Sequence, residues 1–377
     1  MIYNDFQGKK LSALGFGAMR LPTLADGSVD EAQVEVMVDY AIKNGVNYFD
    51  TAWPYHGGMS ERIMGRVLKN YPRESFYLAD KFPGHQISAT YDPAATFEEQ
   101  LRRCGVEYFD FYLLHNVYEK SIKTYLDPRW GILEYFKEQK KLGRIKHLGF
   151  STHGSIALIE EFLDICGDDM EFCQIQLNYL DWTLQDAKAK YDMLKRRGIP
   201  VWVMEPVRGG KLATLNEDNT ARLQKLRPDE TVVAWCFRFL QSLPNVTMTL
   251  SGMSNMNQIQ ENIATYVEDK PLNAAEMEAV FAIAEGMKNS VPCTSCRYCV
   301  SECPQNIAIP DLFACFNGKT VWNTWSSSYY YKVHTHTGGK ASDCVECGAC
   351  EEICPQHLPI RKLMKDVAKE FDVKKEK

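Results

Sequence analysis

The feature that most constrains the fold is a regular alternation of short apolar runs and amphipathic stretches, which continues to about residue 288. Eight apolar runs have the length of buried strands: Leu14–Leu21, Asn47–Ala52, Phe76–Phe82, Asp110–His115, Ile145–Ser151, Phe172–Tyr179, Pro200–Pro206 and Thr247–Gly252. One stretch with helical periodicity follows each run: Asp30–Lys43, Ser60–Lys69, Ala94–Arg103, Ile132–Lys141, Ser155–Ile165, Leu184–Arg196, Asp229–Gln241 and Met256–Glu268. The alternation predicts a parallel sheet covered by helices.

The number of strand–helix pairs distinguishes two α/β folds. A doubly wound sheet also alternates strands with helices, but eight pairs in roughly 250 residues is the count and size of a (β/α)8 TIM barrel. We therefore predict such a barrel over residues 1–288. The short polar segment Met1–Ala13, with a glycine in its middle, predicts a small hairpin that closes the bottom of the barrel.

Composition excludes several classes of protein. With 45% hydrophobic and 24% charged residues, the chain can bury a sizeable core and is not disordered. A net charge of −6 gives no general basic surface, so nucleic acid is not an expected partner. No apolar run approaches the length of a membrane span, and the first ten residues lack the apolar stretch of a secretory signal. We expect a cytoplasmic protein without a membrane segment.

The 13 cysteines are distributed unevenly. Five are isolated along the chain: Cys104, Cys166, Cys173, Cys236 and Cys315. The other eight form two groups, CTSCRYCVSECP from residue 293 and CVECGACEEICP from residue 344. A disulfide framework is unusual in a chain this long without a secretory signal. Clustered thiols in a reducing compartment indicate a metal site.

Each group has the C-x2-C-x2-C-x3-C-P spacing of bacterial ferredoxins, in which three cysteines bind one cluster and the fourth reaches the other. We predict two [4Fe-4S] clusters with these ligand sets: Cys293, Cys296, Cys299 and Cys354 for one, and Cys344, Cys347, Cys350 and Cys303 for the other. Zinc is the alternative, because pairs of C-x2-C motifs also bind zinc. Zinc, however, leaves the third cysteine, the fourth and the proline of each group without a role.

Residues 289–377 are predicted to form a ferredoxin-like domain with these two clusters. The 40 residues between the two groups are long for a β-hairpin ferredoxin and favour a mainly α-helical module. We expect helices near Ile309–Phe316 and Ile360–Phe371. Within the insert, His334 and His336 could bind metal, but a solvated loop is favoured because no third ligand is evident.

Four polar residues stand at or just beyond predicted strand ends, where the catalytic groups of a (β/α)8 barrel lie. Asp50, Lys81 and His115 stand at the ends of the second, third and fourth strands, and Tyr55 lies five residues after Asp50. An ammonium lowers the pKa of a nearby phenol, a carboxylate holds the ammonium, and a histidine directs a carbonyl oxygen. Together they form a proton-donating unit. Taken singly, each has an ordinary alternative: a cap, a surface charge or a core histidine.

Several strings resemble those of aldo-keto reductases: GFGAMRLP (15–22), NYFDTAWPYHGGMSERIMGRVLK (47–69), LADKF (78–82), YLLHN (112–116), GFST (149–152), IQLNY (175–179) and SGMSNMNQIQENI (251–263). The resemblance extends across the barrel and implies reversible carbonyl reduction with NAD(P)H. It implies that Tyr55 is the general acid, that Lys81 paired with Asp50 lowers its pKa, and that His115 orients the carbonyl.

The resemblance also implies a dinucleotide site at the barrel rim, and the sequence has no G-x-G-x-x-G motif that would indicate a Rossmann site. The implied contacts of the nicotinamide half are Met19, Ser151, Gln176, Asn178 and Pro206. Those near the pyrophosphate are Gly209 and Gly210. Those of the adenosine end are Gly252, Ser254, Gln258, Glu261 and Asn262. Some branches of the family carry a basic residue at the position of Gln258 and others carry glutamine, so the choice between NADP(H) and NAD(H) stays open.

The two predicted parts perform different electron chemistry. Hydride transfer moves two electrons together, each cluster exchanges one, and no flavin motif is evident to connect them. The leading hypothesis is a reductase of a small carbonyl or alcohol substrate whose clusters relay electrons to an external carrier or sense redox state. The alternative is an electron-transfer or redox-sensing protein whose barrel binds nucleotide with little turnover.

Overall fold

The computed structural model describes residues 1–86, 88–288, 290–320 and 327–372. The chain forms two compact units. The first, which we call the barrel unit, contains Met1–Val207 and Glu230–Met277. The second, the cysteine unit, contains Arg208–Asp229 and Glu278–Lys377. The cysteine unit is therefore built from two separate stretches of chain, and the domain boundary at residue 288 stays a prediction.

The strands confirm the predicted barrel. In chain order they are β1 (Tyr3–Phe6), β2 (Lys9–Ser12), β3 (Leu14–Gly17), β4 (Tyr48–Asp50), β5 (Tyr77–Phe82), β6 (Phe109–Leu114), β7 (Ile145–Thr152), β8 (Cys173–Gln176), β9 (Val201–Met204) and β10 (Val246–Gly252). Strands β3 to β10 pair in parallel in chain order, and β10 closes the ring against β3. The carboxyl ends of β4, β5 and β6 are therefore neighbours, as the predicted site requires.

The predicted hairpin is present at one end of the barrel. β1 and β2 pair antiparallel, and Phe6 and Leu11 are buried with the side chains of the barrel interior. The ring of Phe6 lies 5.0 Å from that of Trp202 and 5.7 Å from that of Phe111, measured between ring centroids. Aromatic side chains thus fill this end of the barrel and exclude water from it.

The helices follow the predicted alternation with two additions in the barrel region. They are α1 (Glu31–Lys43), α2 (Met59–Leu68), α3 (Pro93–Cys104), α4 (Ile122–Leu126), α5 (Ile132–Lys141), α6 (Ile156–Cys166), α7 (Asp181–Leu184), α8 (Ala187–Arg196), α9 (Glu217–Leu226), α10 (Val232–Gln241), α11 (Met256–Thr265), α12 (Ala274–Met287), α13 (Tyr298–Ser301), α14 (Ile309–Thr320), α15 (Ser327–His334), α16 (Ala349–Glu352) and α17 (Ile360–Phe371). Helices α4 and α7 were not predicted, and neither was α9, which lies in the cysteine unit. The helix predicted at Leu184–Arg196 corresponds to α8 and begins only at Ala187, because Asp186 adopts a left-handed conformation (φ 51°).

The described part of the cysteine unit is helical, and both helices predicted there are confirmed as α14 and α17. Its two cysteine runs follow the same backbone course. Ser295 and Glu346, each two residues after the first cysteine of its run, both have positive φ (57° and 56°). The left-handed turn at each position curls the loop, so the cysteines of a run converge. His334 ends a helix, and the loop expected there is therefore wrong at that residue.

None of the helices in the described ranges is long and apolar enough to cross a membrane.

Candidate active site and cluster pockets

A buried ion pair lies at the centre of the barrel site. Lys81, in β5, is fully buried and Asp50, the last residue of β4, is 4% exposed. The Lys81 ammonium donates to Asp50 Oδ1 at 2.5 Å and to the carbonyl of Thr51 at 2.7 Å. Burial raises the pKa of Asp50, and the charge of Lys81 opposes that rise. The pair keeps a positive charge in place without exposing it to water.

Tyr55 lies over this pair. It begins the 3-10 turn Tyr55–Gly58 and is 7% exposed, with the Lys81 ammonium 5.0 Å from its ring centroid. Burial raises the pKa of Tyr55 well above its usual value, the charge of Asp50 adds to the rise, and Arg20 opposes it. Because its pKa is raised, Tyr55 remains protonated at neutral pH. The lowering of this pKa by Lys81 stays a prediction.

His115 directly follows β6 and faces Tyr55 edge-on, with the ring centroids 6.0 Å apart. Burial lowers the pKa of His115 well below its usual range, and the nearby His85 and Lys81 add to this lowering. The imidazole is therefore neutral at physiological pH. It can donate one N–H to a carbonyl oxygen, as the sequence analysis expects.

His85 is a functional candidate that the sequence analysis missed. Its ring centroid lies 4.3 Å from that of His115, and burial lowers its pKa to about 4. It stands four residues after Lys81, in the loop that leaves β5. That position is the available sequence signal, because loops at the carboxyl ends of barrel strands carry the site.

A network of buried polar groups is bonded to the backbone of Lys81. Gln100 on α3 donates to the carbonyl of Lys81 at 3.0 Å and to Glu61 Oε1 at 3.1 Å. Glu61 is fully buried and accepts from Arg103 at 2.7 Å. The hydroxyl of Tyr112 donates to Gln100 Oε1 at 2.5 Å. Fixed partners on both sides restrict the backbone that carries Lys81.

Of the residues implied for the nicotinamide half, Ser151, Gln176 and Asn178 lie at or just beyond the carboxyl ends of β7 and β8. Ser151 Oγ accepts from the Asn116 amide at 2.8 Å. Gln176 and Asn178 both donate to Asp181 Oδ2 at 2.7 Å. Asn178 is fully buried and also bonds backbone groups at both ends of its amide. It holds this loop in place, and its contact with a cofactor stays a prediction.

Arg20 connects three other parts of the implied cofactor site. It follows Met19 in the 3-10 turn after β3, and its guanidinium pairs with Glu205 Oε1 at 3.2 Å, next to the buried Pro206. Its backbone carbonyl accepts from Ser254 Oγ at 2.8 Å. The sequence alone gave no reason to select Arg20, because its partners are distant in the chain.

The segment implied for the adenosine end opens α11. Gln258 Oε1 accepts from the Ser254 amide at 2.7 Å, and Asn262 Nδ2 donates to Ser251 Oγ at 3.1 Å. Glu261 lies partly exposed on the same helix. A β-carbon at Gly252 would lie 3.1 Å from the β-carbon of Arg20, so the two chain segments approach closely because residue 252 is glycine.

Gly209 and Gly210, implied for the pyrophosphate, both adopt positive φ (62° and 88°). They belong to the cysteine unit, whereas the other implied cofactor residues belong to the barrel unit. Nothing lies within 4 Å of a β-carbon placed on Gly210. The left-handed backbone, rather than crowding, therefore favours glycine there.

Two pockets of the cysteine unit contain the eight clustered cysteines. Cys293, Cys296, Cys299 and Cys354 border a pocket of about 330 Å³. Cys303, Cys344, Cys347 and Cys350 border another of about 360 Å³. Each pocket thus takes three cysteines from one run and the fourth from the other. Ile309 and Ile360 border both pockets, so apolar side chains separate them.

The donor set suits a four-iron cluster. Four thiols surround each pocket. Burial raises the pKa of Cys350 to about 11, and the charges of Glu351 and of neighbouring thiolates add to the rise. A bound cation reverses such a shift by stabilising the thiolates. The spacing of the cysteines, with three from one run and one from the other at each pocket, favours a cluster over a lone zinc ion.

Comparisons with known proteins agree with the barrel and with the ferredoxin-like domain predicted from the sequence. The profile of the Aldo/keto reductase family matches residues 13–285, and that of a 4Fe-4S dicluster domain matches residues 292–359. L-galactose dehydrogenase of Arabidopsis thaliana is 27% identical over 307 residues, which cover 75% of this chain and 93% of that protein. NADH-specific methylglyoxal reductase of Escherichia coli is 25% identical over 263 residues, covering 58% and 78% respectively. The holo form of aldo-keto reductase AKR11C1 from Bacillus halodurans has a TM-score of 0.59 and 27% identity, covering 73% of this chain and 93% of that chain.

The family match includes all eight barrel strands, and the polar groups described above lie at the ends of those strands. The chain belongs to the aldo/keto reductase family and is an NAD(P)H-dependent oxidoreductase with a 4Fe-4S dicluster domain.

Proposed function

We propose that the barrel reversibly reduces an aldehyde or ketone with NAD(P)H. The observation that carries this proposal is one buried group that contains a protonated phenol, a paired ammonium and a neutral imidazole: Tyr55, Lys81 with Asp50, and His115. Neither histidine nor tyrosine is charged at neutral pH, so the site is suited to donating a proton rather than to binding an anion.

The chain's residues perform the proton part of the reaction. His115 donates a hydrogen bond to the carbonyl oxygen and orients it toward Tyr55. Tyr55 gives its proton to that oxygen, and the phenolate that forms is stabilised by the Lys81 ammonium next to it. Bound nicotinamide supplies the hydride to the carbonyl carbon. One hydride and one proton convert the carbonyl to an alcohol, and water then returns a proton to Tyr55.

The dinucleotide is proposed to lie along the rim. The nicotinamide half contacts Met19, Ser151, Gln176, Asn178 and Pro206, the pyrophosphate contacts Gly209 and Gly210, and the adenosine end contacts Gly252, Ser254, Gln258, Glu261 and Asn262. The amino end of α11 favours a negative group there, because its first backbone amides point outward. Gln258 carries no charge, so we propose that the site accepts NADP(H) or NAD(H).

The cysteine unit is proposed to bind two [4Fe-4S] clusters with the ligand sets that border the two pockets. Each cluster exchanges one electron, whereas hydride transfer moves two together, so direct exchange with the nicotinamide would need a carrier that accepts two electrons and passes them on one at a time. We propose that they relay electrons to an external carrier or sense redox state. The exposed Cys347 supports access by a carrier at one pocket.

The exposed Cys347 at one cluster pocket also supports a second candidate function. In it, the protein transfers electrons or senses redox state, and its barrel binds nucleotide with little turnover. Substrate assays distinguish the two functions. In the leading proposal the wild type oxidises NADPH or NADH with members of a panel of aldehydes and ketones. An absence of turnover, with nucleotide binding intact, would favour the second candidate.

Tyr55→Phe tests the role of the phenol. We expect kcat to fall roughly 10²–10⁴-fold, the usual contribution of a general acid, with nucleotide affinity unchanged. Tyr329→Phe is the matched control, since it removes the hydroxyl of a tyrosine that is 63% exposed. Equal kcat values for the two variants would contradict the proposal.

A further inference from the structure

Arg208 is a fully buried arginine in the loop that follows β9. It adopts a left-handed backbone conformation (φ 50°), and its guanidinium donates to the carbonyl oxygen of Pro292 at 3.1 Å. Both residues belong to the cysteine unit. Pro292 directly precedes Cys293, the first ligand of the pocket that Cys293 shares with Cys354. A buried positive charge is thus attached to the backbone that enters this pocket.

A neutral group already fixes this backbone. Asn317, fully buried on α14, accepts from the Val291 amide at 2.7 Å and donates to the Val291 carbonyl at 2.9 Å. An amide side chain therefore suffices to position this segment. Arg208 adds a second, charged donor to the same segment, through its bond to the carbonyl oxygen of Pro292.

The charge has an electrostatic use at this pocket. An iron–sulfur cluster gains one negative charge when it is reduced, and its potential depends on net charge and hydrogen bonding nearby. A buried cation stabilises the reduced form most, because interactions between charges are strong where water is excluded. We propose that Arg208 raises the reduction potential of the cluster bound by Cys293, Cys296, Cys299 and Cys354.

The two pockets differ in the charged residues that border them. Glu302, Glu346 and Arg361 border the pocket formed by Cys303 and the second cysteine run, and Glu346 is paired with Lys365. Arg297, which is paired with Asp311, borders the first pocket. Arg208 bonds the residue that precedes Cys293, so its main effect is expected at the first cluster.

The test is a redox titration of the full-length protein, purified without oxygen and followed by electron paramagnetic resonance. We expect Arg208→Gln to lower the midpoint potential of one cluster by at least about 59 mV, a tenfold change in a one-electron equilibrium, and to leave the other unchanged. Arg208→Lys keeps the charge and should restore most of the potential. Arg222→Gln, which removes an exposed arginine of α9, is the control.

Unchanged potentials in Arg208→Gln would overturn the inference. If that variant loses the iron of one cluster, retention of the iron and of the wild-type potential in Arg208→Lys supports a role for the charge, and loss in both variants overturns it.

Discussion

The barrel site and the cysteine pockets bury reactive groups in opposite ways. In the barrel, Lys81 has its counter-charge within 2.5 Å, in Asp50, so the chain itself completes the arrangement. In the cysteine unit, four thiols surround each pocket, and burial followed by nearby negative charges raises the pKa of Cys350. That arrangement is complete only with a bound cation. The barrel site is thus preorganised by protein contacts, and the pockets depend on what they bind.

The largest expected effect tests whether the cysteine pockets depend on what they bind. Cys299→Ser removes a buried ligand of one pocket, and we expect loss of about four of about eight irons per chain. Because the cysteines stand in the apolar core of the cysteine unit, helical content should fall as well. Iron and sulfide analysis with circular dichroism measures both changes.

Cys315→Ser is the matched control, since Cys315 is buried in the same core and borders neither pocket. It should keep all the iron. Equal iron loss in both variants would show that the core, and not ligation, determines cluster content.

The next effect concerns the ion pair of the barrel. Asp50→Asn leaves the Lys81 ammonium buried without its counter-charge, and we expect the free energy of unfolding to fall by about 3–5 kcal/mol. We also expect kcat to fall about 100-fold, because the ammonium is no longer held beside Tyr55. Chemical denaturation and steady-state kinetics measure the two quantities.

Glu31→Gln provides the comparison, because it breaks the exposed pair of Glu31 with Arg66. Exposed pairs contribute only about 0–1 kcal/mol. If Asp50→Asn lowered the free energy of unfolding no more than Glu31→Gln does, the barrel site would not be preorganised by this ion pair.

The smallest expected effect is a pH dependence of stability that originates in the barrel. Burial holds the pKa of His85 at about 4, whereas an unfolded histidine titrates near 6.5. Between these values the unfolded chain binds more protons, so the free energy of unfolding falls as pH falls from about 6.5 towards 4. His115, whose pKa burial also lowers, contributes in the same direction.

Urea midpoints at pH 7 and pH 5 measure this slope. His85→Phe should reduce the difference between the two midpoints, and His336→Gln, which removes an exposed imidazole, should not. If His85→Phe kept the full difference, the slope would have to come from other groups.

Local patterns explain what the sequence could predict. The predicted ligand sets depend on spacings of two or three residues. Cys303 and Cys354 each border the other run's pocket, and their binding of iron stays a prediction. The barrel strands follow from apolar runs. β3 begins at Leu14 as predicted but ends at Gly17 rather than Leu21, because Ala18–Arg20 forms a 3-10 turn that apolar composition does not reveal.

Long-range partners explain what the sequence could not predict. Arg20 meets Glu205 across 185 residues, and His85 reaches His115 through the folding of two loops. Burial also raises the pKa of Tyr55, and the degree to which a side chain is buried is not present in a residue pattern.

The cysteine unit includes Arg208–Asp229, a stretch inserted between a barrel strand and the next barrel helix. A polypeptide truncated after residue 288 would keep this stretch but lose most of the residues with which it is compact. Cutting the gene at that point therefore produces two incomplete pieces rather than a free reductase and a free ferredoxin.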